Sequence, residues 1–125
     1  KDIKRVVICS GKVYYDLFEE RQKRGITNIA LVRLEQFYPF PDRPLADELS
    51  KYTNAAEVVW CQEEPENQGA WHFLDRRIEH VLQSIRHKAQ RPVYAGRSAA
   101  AAPATGSLKT HNKEQAALLD AALTL

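Results

Sequence analysis

Methionine is absent from this 125-residue chain, which begins at Lys1. An independently translated protein starts with methionine, and its removal acts mainly ahead of small residues, so the expectation is a piece of a longer polypeptide. Cysteine is scarce: Cys9 and Cys61 each sit at the end of an apolar run, far apart and without Cys-x-x-Cys spacing. That usage excludes a disulfide framework and points to a reducing, cytosolic-type compartment, with both thiols buried and inert. No apolar run approaches the roughly 20 residues that span a bilayer, so a soluble chain with no membrane partner is expected. An excess of one charge is also missing. With 18 Lys and Arg against 16 Asp and Glu, mixed along the chain, nucleic acid is a poor partner. There is no internal repeat.

What is present suffices for one core. At 44% hydrophobic residues the chain reads as a single domain over residues 1–125, without room for a second. Arg5-Val6-Val7-Ile8-Cys9 is a short β-branched run closed by Ser10-Gly11, suited to a strand covered on both faces. Val13, Tyr14, Leu17 and Phe18 then recur at helical spacing up to Gly25, a stop signal preceded by Lys23 and Arg24. Asn28 to Leu34 reads as a second strand. After an aromatic and proline-rich loop from Gln36 to Pro41, Asp42 is placed to cap a short helix bearing Leu45, Ala46 and Leu49. Glu57 to Cys61 is a third strand.

From about Gln68 to His87, Ala70, Leu74, Ile78, Val81, Leu82 and Ile85 fall at steps of three and four, the clearest amphipathic helix of the chain. Pro92 to Arg97 reads as a fourth strand, near a sheet edge because of its leading proline. Ser98 to Thr110, rich in Ala, Ser, Gly and Pro, reads as a loop, either mobile or an ordered surface segment. Asn112 with Gln115 resembles a capping box for a last helix carrying Ala116, Leu119, Ala122 and Leu123. Alternating strands and helices with right-handed crossovers predict an α/β three-layer sandwich, a mostly parallel sheet with helices on both faces.

The most informative stretch is Val58 to Trp71, where an apolar run breaks into acids, Pro and Asn ahead of a helix. In open α/β sheets, ligands and partner surfaces gather at such carboxyl ends of strands. Glu63, Glu64 and Glu66 invite general acid–base chemistry, which needs a shielded carboxyl, and nothing in the sequence shields them. Acids are favoured near a helix start by the macrodipole alone, and Asn67 is suited to cap that helix. A docking or subunit-contact role is therefore preferred over catalysis. Trp60 is expected in the core and Trp71 over an interface. His72, in the first helical turn, is placed to reach a ligand or a subunit, although structural use is the favoured reading. His80 and His87 are expected to be solvated, and no metal site is expected because no His lies four residues from another. Ser10-Gly11-Lys12 lacks the spacing of a phosphate loop and reads as a turn into a helix. Arg97, Ser98, Thr105, Ser107 and Lys109 mix cations and hydroxyls suited to a phosphate, although a solvated segment is preferred.

Three blocks carry a resemblance: Val32-Arg33-Leu34-Glu35-Gln36-Phe37-Tyr38-Pro39-Phe40-Pro41, the edge Trp60 to Trp71, and Tyr94-Ala95-Gly96-Arg97 with its Ala-rich sequel. In this order they resemble the C-terminal domain of 2-oxoglutarate dehydrogenase thiamine-dependent (E1) components, of the transketolase-like superfamily. The relatives acting on 2-oxoadipate carry similar blocks. The resemblance implies a parent homodimer that uses thiamine diphosphate and Mg to decarboxylate 2-oxoglutarate in the citric acid cycle. It hands the succinyl group to the lipoyl arm of dihydrolipoyl succinyltransferase. It also implies a cytoplasmic location, or the mitochondrial matrix in a eukaryote. The chain lacks the Gly-Asp-Gly and downstream paired Asn that such families use for metal and diphosphate, and it lacks their substrate-handling histidine segments. No catalytic or cofactor-binding residue carries over, and the chain alone is expected to bind no cofactor and to be inactive.

The expected role is assembly and regulation, alongside the rest of the parent chain and a homodimer partner. Glu63, Glu64, Asn67, Trp71 and His72 are the candidates for an interface or the approach to the active site. Arg33, Arg97, Ser98 and Lys109 are the candidates for contact with an anionic effector, since some relatives accommodate an acyl-CoA in this region. A different class, a standalone module of the same fold that senses an acyl-CoA or nucleotide, is the alternative.

Overall fold

A run that offers water almost no polar side chain has to be covered on both sides, and in the computed structural model Arg5–Cys9 becomes a strand (β1) with every residue buried. The structure describes residues 2–35, 40–65, 70–97 and 108–125, without the side chains of residues 65, 97 and 108–111. Beyond β1 it comprises α1 (Val13–Arg24), β2 (Ile29–Arg33), α2 (Asp42–Leu49), β3 (Glu57–Pro65), α3 (Trp71–Ser84), β4 (Pro92–Arg97) and α4 (Leu108–Leu123). The strands form one sheet in the order β2-β1-β3-β4, every pairing parallel. The expected α/β sandwich is what the chain forms, and β4 lies at the sheet edge that its leading Pro92 foreshadows.

Side chains alternate across a strand, and two cores result. Val6, Ile8, Val32, Val58 and Trp60 face α2 and α3, packing with Leu45, Leu49, Leu74, Ile78 and Leu82. Val7, Cys9, Val59, Cys61 and Ala95 face α1 and α4, packing with Val13, Leu17, Leu118 and Ala122. α1 ends where Gly25 takes a left-handed φ of 66°. The N–H groups of Gly25 and Ile26 there bond the carbonyls of Gln22 and Arg21 at 3.1 Å each. This is the stop that Gly25 signals in sequence.

α4, last in the chain, is tied back to the first strand by one cation. Arg5 Nη1 donates to the carbonyls of Ala121 and Ala122, both at 2.9 Å, while Nε reaches Glu57 Oε1 at 2.8 Å. A guanidinium at a helix C-terminus meets both the orphan carbonyls and the negative end of the macrodipole.

Several expected boundaries shift. β3 does not stop at Cys61 but runs through the acids to Pro65, because β4 supplies partners Gly96 and Arg97 for Gln62 and Pro65. Asp42 is the first residue inside α2; Pro41 holds the N-cap position and no side chain caps the helix. α3 is shorter than expected, beginning at Trp71 after Ala70 and ending at Ser84. Beyond it Arg86 adopts a positive φ of 55°, which turns His87 inward. His87 is buried, not solvated. The amide of Ala89 donates to its Nδ1 at 2.9 Å and its Nε2 lies 3.0 Å from the Tyr52 carbonyl oxygen, so buried backbone groups are what draw the ring in. α4 starts at Leu108, so Asn112 is helical instead of capping, and Leu108 to Thr110 are not loop. The remainder of that expected loop, residues 98–107, and most of the aromatic, proline-rich loop, residues 36–39, lie outside the described residues. Among the described residues no helix is long and apolar enough to cross a membrane.

Candidate functional site

Because every pairing is parallel, the carboxyl ends of all four strands share one edge of the sheet. The two central strands, β1 and β3, send their following helices to opposite faces: α1 packs with one core and α3 with the other. A crevice opens where two neighbouring strands diverge in this way, the usual binding position of open α/β sheets. Here it is a cavity of about 320 Å³ lined by Ser10, Gly11, Lys12, Val13, Trp60, Gln62, Glu63, Glu64 and Ala70.

On the β1 side the chain turns sharply at Gly11, whose φ of 74° is readily available only to glycine. Its carbonyl accepts from Tyr14 N at 3.2 Å, starting α1. The expected Ser-Gly turn into a helix is therefore present. On the β3 side Gln62 organises the edge. It is 2% exposed, and its Oε1 accepts from Trp60 Nε1 at 2.8 Å and from the Trp71 backbone at 3.2 Å. Its Nε2 donates to the Glu64 carbonyl at 3.0 Å. One amide thereby joins the strand, its polar end and the start of α3.

The two lining acids differ in surroundings. Glu63 is three-quarters buried, and its Oε2 accepts from Lys12 Nζ at 3.3 Å and from Gln115 Nε2 at 3.0 Å. Gln115 also donates to Asp16 Oδ2 at 2.9 Å, so α1, β3 and α4 meet at one polar junction. Glu64 is exposed, and its carbonyl also accepts from the Tyr94 hydroxyl at 3.4 Å. The polar groups of this edge are held by one another, which fixes their positions at the mouth of the cavity.

Of the other expected site residues, His72 is exposed in the first turn of α3, whereas Trp71 is only 8% exposed and packs on Tyr94 with ring centroids 5.5 Å apart. Trp71 thus sits in the core beneath the edge, because its ring fills the space between α3 and β4. Asn67 and Ser98, like the side chains of Arg97 and Lys109, lie outside the described residues. Arg33 ends β2 and is engaged on two sides. Its Nε bonds Glu35 Oε2 at 2.8 Å, and its guanidinium lies over the rings of Tyr14 and Tyr15, 5.2 and 5.1 Å from their centroids. The Arg33 hydrogen bond, and then the Gly11 N–H, hold the Glu35 carboxyl below its ordinary range, while Glu35 raises Arg33.

Cys9 and Cys61 are register partners on β1 and β3. Burial pushes both thiols up to about 12, which disfavours thiolate at neutral pH; both are buried, as expected. Among the described residues no group of His, Cys, Asp and Glu is arranged to hold a metal ion.

The family whose sequences share this pattern, described as 2-oxoglutarate dehydrogenase C-terminal, matches residues 1–123. The chain belongs to this family. It is 59% identical over 121 residues to the 2-oxoglutarate dehydrogenase E1 component of Brucella anthropi and, to the same extent, to that of Brucella ovis. Each match covers 97% of this chain but 12% of the relative, so the chain spans about an eighth of the length of those relatives. Among solved structures, a split gene transketolase in an inactive β4 tetramer superposes with a TM-score of 0.56 at 18% identity, covering 98% of this chain and 39% of that one. At that identity the likeness concerns the fold alone, and it agrees with the transketolase-like architecture expected from sequence.

Gln62 and Gln115 were not among the sequence candidates. A glutamine directly after an apolar strand and beside a tryptophan is the only local sign of the first. Nothing local marks the second, since its partners lie 99 and 52 residues away.

Proposed function

We propose that this domain completes the E1 component of a 2-oxoglutarate dehydrogenase, supplying assembly and regulation and leaving the chemistry to the rest of the parent chain. The observation that carries the reading is 59% identity over 97% of this chain to E1 components of which it spans 12%. The parent would decarboxylate 2-oxoglutarate with thiamine diphosphate and Mg and succinylate the lipoyl group of its succinyltransferase partner, working as a homodimer in the cytoplasm or mitochondrial matrix. The described residues do not fit the cofactor. A magnesium diphosphate needs several converging oxygen ligands, and the edge cavity instead pairs Glu63 with Lys12 and Gln115. No step of the reaction is assigned to this domain.

The regulatory part rests on Arg97, Ser98 and Lys109, at and after the end of β4; Arg33, the fourth candidate from sequence, is already engaged by Glu35, Tyr14 and Tyr15 and is left out. Titrating acetyl-CoA into the parent should shift its melting temperature or turnover, and the absence of both effects would remove the regulatory role. The central experiment compares parent and isolated chain with 2-oxoglutarate, thiamine diphosphate and Mg. Turnover is expected from the parent alone, faster on 2-oxoglutarate than on 2-oxoadipate. Cofactor-dependent turnover by the isolated chain would refute the division of labour.

A further inference from the structure

One face of α1 presents large apolar side chains to water. Tyr15 and Phe18 are 56% and 41% exposed, among the few large hydrophobic side chains of the described residues that reach water to this extent. They form a continuous strip with Tyr14, whose ring is 5.4 Å from that of Tyr15 and 6.3 Å from that of Phe18. Arg33 lies over both tyrosines and Arg21 over Phe18, 5.7 Å from its centroid. Exposed aromatic side chains clustered with arginine are the composition of interface centres, where Tyr, Trp and Arg carry most of the binding energy.

Two features narrow the occupant. The rings already contact one another, edge-to-face between Tyr14 and Tyr15 and stacked between Tyr14 and Phe18, so burying them sacrifices little rotamer freedom. Arg33 is already paired with Glu35 at 2.8 Å, so covering it does not strand an unpaired charge. A surface whose cation is internally compensated suits an apolar protein face better than a polyanion. The relatives are about eight times as long as the matched region, and within one polypeptide a neighbouring domain is presented at an effective concentration that a separate chain cannot match.

We infer that the Tyr14, Tyr15, Phe18 and Arg33 face is where this domain seats on the remainder of its own parent polypeptide. The inference rests on the reading of this chain as part of a longer E1 component, but its test reads proximity and not catalysis. Phe18 is replaced in the full-length parent by the photoreactive p-benzoylphenylalanine, and irradiated protein is sized on a denaturing gel and mapped by mass spectrometry. The expected product is an intrachain cross-link, at the mass of one polypeptide, to a peptide outside the present 125 residues. A product of doubled mass would assign the face to a second copy, and no cross-link would leave the face bare; either result overturns the inference. Hydroxyl-radical footprinting of the unsubstituted parent is the second measurement. Normalised for intrinsic side-chain reactivity, Tyr15 and Phe18 should be protected several-fold beyond what their 56% and 41% exposure in this domain predicts, and protection that matches that exposure would overturn the inference. A parent that yields the intrachain cross-link yet fails to turn over 2-oxoglutarate would refute the enzymatic reading and leave this one standing.

Discussion

Gln62 shows how much one buried amide can organise. Its oxygen serves an indole N–H and a backbone N–H, and its nitrogen serves a carbonyl, all near a cavity that would otherwise lie over bare strand ends. Gln62→Leu keeps the volume but takes that acceptor from Trp60 and Trp71, so the chain should lose about 2–4 kcal/mol in urea denaturation. An unchanged midpoint would mean that the amide contributes nothing net. The cysteines make a different kind of statement at this scale. Each thiol is raised from 9.0 to about 12 by burial, so the folded state keeps a proton that the unfolded chain releases. This contribution is fully present below pH 9 and is lost as pH rises from 9 towards 12. The melting temperature of Cys9→Ala/Cys61→Ala should therefore fall less steeply across that window than that of the parent sequence. Parallel slopes would contradict the burial argument. Cys9 and Cys61 were legible as buried because each ends an apolar run; Gln62 was not, since its residue type ordinarily sits in water.

Elements were legible in the sequence to the extent that their own residues decide them. β1, α1 and β4 are where local pattern places them, because β-branched runs and a Gly25 stop act within a few residues. α3 and α4 are misplaced at their ends for a physical reason: end geometry is decided by what the end packs against. The indole of Trp71 and the buried ring of His87 pull the two ends of α3 inward from residues 68 and 87. The tie between α4 and Arg5 likewise spans 116 and 117 residues and leaves no local trace. Arg5→Ala removes the donors of the Ala121 and Ala122 carbonyls while leaving α4's apolar stripe intact. Amide hydrogens in the last two turns of α4 should then exchange at least tenfold faster, with β3 protection nearly unchanged. If α4 exchanged at the original rate, packing of Leu118 and Ala122 alone would be holding it.

For the whole molecule the consequence is that the polar edge is a junction. Glu63 draws together α1 through Lys12 and α4 through Gln115, so perturbing it changes the outline of the edge. On the proposed function, replacing Glu63, Glu64 and Asn67 together by Ala in the parent should weaken the proposed homodimer or alter turnover several-fold while leaving binding of the proposed thiamine diphosphate intact. Analytical ultracentrifugation and steady-state assays read this, and unchanged association with unchanged kinetics would remove the edge from any contact role. The sequence by itself determined the α/β class, the number of strands and the family, because periodicity and three ordered motif blocks are local and survive without coordinates. Only the tertiary structure decided that β3 carries its acids within a strand, that Trp71 and His87 turn inward, that Arg33 is paired with Glu35, and that α1 presents an aromatic face outward. Each of these depends on which distant backbone or side chain fills the remaining hydrogen-bond and packing positions, and that is decided only when the strands close into the order β2-β1-β3-β4.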